Sequence, residues 1–518
     1  MITRVDFARS CLVSIIVLFS TLSCAGPILV AKVANVSQLE IENWHELRSA
    51  DFVLYSRESE QNLEAFAVDL ARYIAVVERL INSQPPKIPA QLFLVEDRAR
   101  ELFIPRRNVA GYVKHSLGGF SSFMLGSTSH PDHRNLLLHE FTHYLHLRNS
   151  KLSYPNWYRE GFAEFLGSIR TRDDMMEIGS APPWNLAWLE DRRARKEEID
   201  LEEIFSFERD GRSPDPAGFY PISWAVVHYL SSNADRLERM VSMLGHQAAG
   251  LHWKRAYARS FSEPIEILSE KVGRHVEFLS RGTPSAVVYL PLDELEIRDD
   301  WTIREMPANE MLRLLATAAL RGVVYLRHGG TKAEMRLAQA LFERACKLDP
   351  QDSTARAGLA AALSAQSKFT RAEVQLAAFR EDPDPSAEAM VHAGDAIRTY
   401  AVSLHEARDA TEYRRRHASA IRLHRRALES QPENAFALAG LGYSQLATQD
   451  FEAARKSLAQ AETVGEWDAN LALSQGRVEE RLGFFAEARS FWNKVIRLGT
   501  KDEAKRAAAL LDQARSKR

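Results

Sequence analysis

The chain has 518 residues, more than one hydrophobic core usually serves, so we expect two or more domains. Its 45% hydrophobic and 26% charged residues are typical of globular proteins and argue against a mostly disordered or polytopic membrane protein. The 67 basic residues nearly balance the 69 acidic ones, so no overall field attracts nucleic acid and we predict no nucleic-acid partner. Three cysteines are too few for a disulfide framework, and any metal must be bound by His and carboxylates.

The first 25 residues have the pattern of an export signal. Arg4 and Arg9 precede an apolar run over residues 11–25 that ends in small residues. The run is shorter than the roughly 20 apolar residues of a membrane span. We therefore predict a signal peptide over residues 1–25 and export to the periplasm or cell envelope, with an uncleaved N-terminal anchor as the alternative. Residues 21–24 loosely resemble a bacterial lipoprotein box, which makes Cys24 a candidate lipid anchor and the protein a candidate lipoprotein.

Residues 26–280 have the alternating strand and helix patterns of an α+β domain. The predicted elements, in chain order, are strand 52–55, helix 61–81, strand 91–95, strands 111–114 and 120–125 about a Gly-Gly turn, and a helix that includes 136–147. Residues 155–278 are mostly helical in pattern. The Pro-containing segment 281–307 is predicted to be a connector.

Residues 308–518 contain an internal repeat. Leu441-Gly442, Phe451, Ala454 and Ala461 recur 34 residues later as Gln475-Gly476, Phe485, Ala488 and Val495. This is the period of tetratricopeptide (TPR) repeats, so we predict an all-α TPR-like solenoid that binds a protein partner, with a generic helical bundle as the alternative. Two segments that resemble repeat ends, 345–350 and 427–432, lie 82 residues apart, which is not a multiple of 34. An insertion or a degenerate repeat is therefore expected within 381–415.

His139, Glu140 and His143 form a His-Glu-x-x-His motif in the helix after the hairpin. Residues four apart lie on one helix face, so both imidazoles can bind one Zn²⁺ while Glu140 points to a metal-bound water. We therefore predict Zn²⁺ as the cofactor, His139 and His143 as its ligands and Glu140 as the catalytic base. A zinc peptidase needs a third protein ligand. Glu160 follows His143 at a distance that lets the chain turn and place a second helix against the first.

The sequence HEFTH at 139–143, followed by WYREGFAE at 157–164, resembles the gluzincins, the clan of thermolysin and aminopeptidase N, and most closely their peptidase MA-like branch. The resemblance covers about residues 35–280 and implies a thermolysin-like catalytic domain. It implies that Glu160 is the third zinc ligand and that Glu164 orients a ligand histidine. Because the spacing is slightly shorter than in the aminopeptidases, exchanged roles for these two glutamates are the alternative.

The same resemblance implies that Tyr220 donates a hydrogen bond to the oxyanion of the reaction. A packing role for Tyr220 is equally open, and Tyr229 or His228 are alternative donors. The resemblance also places strand 120–125 at the edge of the sheet, where an extended polypeptide substrate adds as a further strand, although an ordinary sheet edge has the same sequence pattern. His115, His130, His133 and His146 lack ligand spacing, and Cys346 is expected to be a half-buried thiol.

These features together predict an exported zinc-dependent metallopeptidase with a helical-repeat domain that binds a protein partner or the substrate. The alternative is a scaffold or adaptor that acts through its repeats and whose zinc domain is catalytically silent. A third reading is a membrane-tethered maturation enzyme that cleaves only its own partners.

Overall fold

The computed structural model describes residues 36, 39–81, 86–96, 100–104, 111–127, 130–149, 154–207, 216–282, 285–322, 330–406 and 409–516. The predicted signal peptide, with Cys24, lies outside these ranges. The described residues up to 306 are α+β, and those from 308 onward are helical.

The α+β half contains nine strands and ten α-helices among its described residues. In chain order these are β1 (Trp44–Arg48), β2 (Phe52–Ser56), α1 (Glu60–Ile81), β3 (Ala90–Val95), α2 (Arg100–Phe103), β4 (Gly111–Ser116), β5 (Gly119–Leu125), α3 (Pro131–Asn149), α4 (Asn156–Gly167), β6 (Arg170–Arg172), β7 (Met175–Ile178), α5 (Pro183–Ala194), α6 (Leu201–Ser206), α7 (Pro216–Ser231), α8 (Ala234–Ala248), α9 (Trp253–Ser260), α10 (Ile265–Leu279), β8 (Val288–Pro291) and β9 (Thr302–Met306). The predicted hairpin is confirmed, because β4 and β5 pair in antiparallel register from Gly111 with Met124 to Ser116 with Gly119.

Six of these strands form one mixed sheet in the order β4-β5-β3-β2-β1-β9. The expectation that strand 120–125 is the sheet edge is wrong, because β4 lies outside β5 and all seven residues of β5 are buried. The edge beside the predicted site is β4. β5 is inside the sheet because it pairs with β4 on one side and, in parallel, with β3 on the other.

The segment that the sequence predicts as a connector, 281–307, contributes to both sheets. β8 pairs with β7 in a second, three-stranded sheet, and β9 pairs with β1 as the last strand of the large sheet. Proline at 291 is tolerated because it ends an edge strand. The segment is therefore a structural part of the α+β half.

Both faces of the large sheet are covered by helices. One face, with Leu54, Leu92 and Phe120, packs against α1, α3 and the other helices of the α+β half. The opposite face, with Tyr55 and Phe93, shares a continuous core with the helices that follow residue 308. The two halves of the chain are thus packed together through the sheet.

The helices of the second half stack in consecutive pairs. They are α11 (Ala308–Leu320), α12 (Gly330–Leu348), α13 (Ser353–Ala365), α14 (Phe369–Phe379), α15 (Ala387–Glu406), α16 (Ala410–Ser430), α17 (Ala435–Ala447), α18 (Phe451–Val464), α19 (Ala469–Leu482), α20 (Phe485–Leu498) and α21 (Lys501–Ser516). These are TPR-like repeats.

Equivalent contacts recur at the 34-residue period. Gly442 of α17 packs against Leu458 of α18, and Gly476 of α19 packs in the same way against Trp492 of α20. Each glycine allows the two helices of its pair to approach closely, because a side chain there would overlap the facing one. The irregular spacing around residues 381–415 arises from longer helices, since α15 and α16 have 20 and 21 residues where α13 and α14 have 13 and 11.

A candidate metal centre

Helices α3 and α4 carry the predicted metal-binding residues. The side of α3 that faces the sheet is apolar, with Leu137, Phe141 and Tyr144 buried, and this anchors the helix beneath β5. Trp157 of α4 is fully buried and packs on Phe205 of α6. With both helices fixed by apolar packing, their polar side chains meet between them.

His139, His143 and Glu160 form the metal-capable group found among the described residues, and all three are buried. The Nε2 atoms of the two imidazoles lie 3.2 Å apart. Oε2 of Glu160 lies 3.5 Å from Nε2 of His139 and 3.3 Å from Nε2 of His143. Three lone-pair-bearing atoms therefore converge on one point.

Glu164, one helical turn after Glu160, lies behind His139 instead of beside the convergence point. Its Oε1 is 3.1 Å from Nδ1 of His139, so the imidazole keeps Nε2 toward the group. Asn185 of α5 donates a hydrogen bond from Nδ2 to Oε2 of Glu164 at 2.9 Å and is fully buried. Glu160 thus lies beside the two Nε2 atoms and Glu164 lies behind His139, and their roles as zinc ligand and orienting carboxylate stay predictions. Asn185 was not identifiable from the sequence, because no motif surrounds it.

The electrostatics of the group follow from burial and close opposite charges. Burial opposes charge on His139, but Glu160 and Glu164 outweigh it and raise the pKa of the imidazole well above its usual value. Burial likewise opposes charge on Glu160, yet the two histidines hold the pKa of that carboxyl well below its usual range. In the protein without a cation, these shifts describe a buried ion pair.

The pKa of Glu140 shifts in the opposite direction to that of Glu160. Burial raises the pKa of its carboxyl above the usual value, against the opposing influence of His139 and His143. The side chain is fully buried, and within the described part of the chain neither carboxylate oxygen has a hydrogen-bond partner. A buried carboxylate in this state is suited to accept a proton.

Tyr220 of α7 lies against the group, with its ring centroid 6.4 Å from that of His139. Burial and the nearby carboxylates of Glu160 and Glu140 raise the pKa of its phenol well above the usual value, so it remains an O–H donor. The two alternative donors make other contacts. His228 contacts His275 at 2.8 Å and the Ser285 carbonyl at 2.7 Å, and the Tyr229 ring lies beneath the guanidinium of Arg236.

The remaining singled-out residues lie outside the group. His130 and His133 contact each other through their rings, and Nδ1 of His133 accepts a hydrogen bond from the Ser127 N–H. The side chains of His115 and His146 lie outside the described residues. Cys346 is half-buried as expected, and burial raises the pKa of its thiol to about 11.

The donor set and spacing fit a zinc ion. Two imidazole nitrogens and one carboxylate oxygen at three corners of a tetrahedron of zinc ligands are separated by about 3.4 Å, which matches the three separations of 3.2 to 3.5 Å. Without a cation, the buried lone pairs on these atoms would repel one another unless a proton were shared. Closed structural zinc sites use four protein ligands, whereas three leave one position open.

Comparisons with known proteins find resemblance among helical-repeat structures. No protein-family model matches the chain, and no curated protein matches it in sequence. A thermophilic TPR protein from Thermus thermophilus is 18% identical, with a TM-score of 0.33, over 39% of this chain and 98% of its own. YrrB, a TPR protein with an unusual peptide-binding site, is 16% identical, with a TM-score of 0.26, over 34% of this chain and 84% of its own. PilW, a type IV pilus biogenesis factor, is 15% identical, with a TM-score of 0.22, over 39% of this chain and 98% of its own.

Among the described residues, no helix is both long and apolar enough to cross a membrane.

Proposed function

We propose that this protein is a zinc-dependent metallopeptidase of gluzincin type whose TPR-like repeats serve a protein partner or the substrate. The observation that carries the proposal is the convergence of His139, His143 and Glu160 at tetrahedral separations. Glu140, which belongs to the same helix face, supplies the group that a hydrolytic site needs and a structural zinc site does not.

In this proposal each residue has one role. When bound, zinc acidifies a water molecule and polarises the scissile carbonyl. Glu140 accepts the proton of the attacking water and passes it to the leaving amine. Tyr220 donates its O–H to the developing oxyanion. Glu164 and Asn185 hold His139 in one orientation.

The adaptor function is the second candidate. The three solved structures named above are repeat proteins, and none of them is named as a peptidase. In that case the zinc group would stabilise the fold, and the repeats would perform the function through a protein partner. The intact set of His139, Glu140, His143 and Glu160 favours the peptidase, because a structural site has no use for a buried Glu140 without a hydrogen-bond partner among the described residues.

Export to the periplasm or cell envelope is part of the proposal and rests on residues 1–25. Fractionation of cells that produce the full chain, with and without Cys24→Ser, tests it. Release of the variant alone from the membrane fraction would identify Cys24 as the lipid anchor.

The decisive experiment compares zinc content and peptide cleavage in three forms of the chain. The wild type is expected to bind close to one zinc per chain by elemental mass spectrometry and to cleave members of a peptide library. His143→Ala is expected to lose most of the zinc. Glu140→Gln is expected to keep the zinc and to lose cleavage by a factor of about 10² or more, because only its proton transfer is removed.

Glu238→Gln is a matched control, since Glu238 is exposed on α8 and the substitution removes the same charge. It should leave both readouts unchanged. Full zinc occupancy with no cleavage of any library peptide by the wild type would support the adaptor or an enzyme that cleaves only its own partners. A wild type that takes up no zinc would refute the peptidase and leave the repeats as the functional part of the chain.

A further inference from the structure

The turn between β4 and β5 is inserted into the TPR-like repeats. Leu117 is buried and packs in one apolar cluster with Leu438 of α17, Leu458 of α18 and Leu471 of α19. These helices lie more than 300 residues further along the chain. The hairpin turn of the α+β half is therefore part of a core that the repeats provide.

Backbone contacts fix the turn as well as the side chain. The N–H of Glu466, between α18 and α19, donates to the carbonyl oxygen of Leu117 at 3.1 Å. Gly465 has no room for a side chain, because its Cβ would lie 2.6 Å from Cδ1 of Leu117. Gly118 lies against the Phe436 ring, which Arg321 covers at 3.9 Å from the ring centroid.

A third contact holds the strand itself. Nζ of Lys114, within β4, lies 3.2 Å from Oε1 of Glu334 on α12 and donates to the Gly322 carbonyl. Gly322 with α12, helix α17, and the stretch from α18 to α19 thus all contact a single hairpin. These contacts add to the β4 and β5 ladder, which by itself would make a two-stranded hairpin only marginally stable.

The strand that the repeats hold is the edge beside the metal group. β4 is the outermost strand of the sheet and packs against α3, which carries His139 and His143. We propose that Leu117 is a positioning residue. Through its contacts the repeats fix the position of β4, the edge strand along which an extended polypeptide substrate would bind. This inference rests on the proposed peptidase function. It gives the repeats a role within the site, independent of an outside partner.

The test uses Leu117→Asp in the full chain, which puts a charge into the apolar cluster and undocks the turn. Hydrogen exchange of the amides of residues 111–125 is expected to accelerate by about tenfold or more, because the opening of the hairpin costs less free energy. The zinc-to-protein ratio should remain that of the wild type. For a peptide that the wild type cleaves, KM should rise about tenfold relative to the wild type. The value of kcat should stay within about twofold, since the substitution affects the placement of the substrate and not the chemical step.

Two controls separate positioning from general destabilisation. Val374→Asp introduces the same charge on α14, where the side chain is 63% exposed, and should change nothing. Leu117→Met keeps the apolar contact and should behave as the wild type. If Leu117→Asp does not fold, Leu117→Ala and Phe436→Ala weaken the same contact more gently and are measured instead.

Unchanged exchange of residues 111–125 in a folded Leu117→Asp or Leu117→Ala chain would overturn the inference. Faster exchange with unchanged KM would also overturn it, because β4 would then move without affecting the substrate. If the wild type cleaves no peptide, the proposed function fails by itself, and the exchange experiment still decides whether the repeats fix β4.

Discussion

Glu164 and Asn185 form a chain of partly buried contacts that begins at Nδ1 of His139 and ends on α5. A metal-ligating imidazole is usually oriented by a carboxylate on its other nitrogen, and loss of such a partner costs about 10- to 100-fold in metal affinity. We expect Glu164→Ala to weaken zinc binding to this extent, and Asn185→Leu to weaken it less, because Asn185 acts only through Glu164. Competition with a chromophoric chelator measures both.

Leucine has the branched shape of asparagine and lacks its donor, but it is larger, so some overpacking at this buried position is expected. The thermal unfolding of the zinc-free chain therefore serves as the control, because it separates a loss of stability from a loss of zinc affinity. Zinc affinities equal to that of the wild type would show that His139 is held by other means and that the Glu164 contact is incidental.

The sequence predicts those residues of the candidate site that are close together in the chain. His139, Glu140 and His143 occupy one helix face, so spacing alone brings them together. Glu160 and Glu164 needed the resemblance of the WYREGFAE segment to a known motif, because the turn between α3 and α4 has no local signal for their approach. Asn185 could not be predicted from the sequence, since a single Asn on a later helix belongs to no motif or periodic pattern.

The approach of α4 to α7 depends on Gly161. A Cβ at this position would overlap the Ser223 carbonyl of α7 and the Val227 side chain, so only glycine lets the two helices meet. Glu160 and Tyr220 are carried by these two helices. The same glycine therefore sets the separation of the third predicted ligand and the predicted oxyanion donor.

We expect Gly161→Ala to destabilise the protein by about 1–3 kcal/mol through overpacking and to lower zinc affinity, because Glu160 is displaced. Chemical denaturation with the linear extrapolation measures the first effect. Gly273→Ala on α10 is the matched control, since nothing lies within 4 Å of its added Cβ. That variant should be neutral or more stable by up to about 1 kcal/mol. A Gly161→Ala chain as stable as the wild type would mean that α4 and α7 can separate without cost.

Local patterns predicted the elements of the hairpin and the long helices but not the pairing of β1 with β9. β9 joins the sheet beside a strand about 250 residues earlier in the chain, and its residues are mostly exposed, so no alternation of apolar side chains marks it. The sheet edge was misplaced because it was taken from the family resemblance, and the hairpin pattern, which identifies two paired strands, gives no sign of which one has a second neighbour.

The largest difference from the expectation concerns how the two halves meet. An apolar strand pattern shows that a sheet face is buried without showing what covers it. Here the helices that cover one face come from the repeats, and Tyr55, Phe93 and Phe123 form a stacked row beneath them. Repeats are usually treated as units that contact only their neighbours. In this chain they also complete the core of the α+β half.

A chain that ends at residue 307 should therefore fail to fold as an independent domain. Each of the three stacked rings contributes about 1.5–3 kcal/mol when buried, and uncovering them together removes much of the 5–15 kcal/mol by which a typical domain is stable. We expect residues 26–307 to aggregate or to bind a hydrophobic dye without a cooperative unfolding transition, and to hold less than one zinc per chain. Production of residues 308–518 as a separate chain in the same cells should restore solubility, since it returns the missing cover. A monomeric 26–307 fragment with cooperative unfolding and full zinc content would show instead that the two halves are independent domains and that the shared core contributes little.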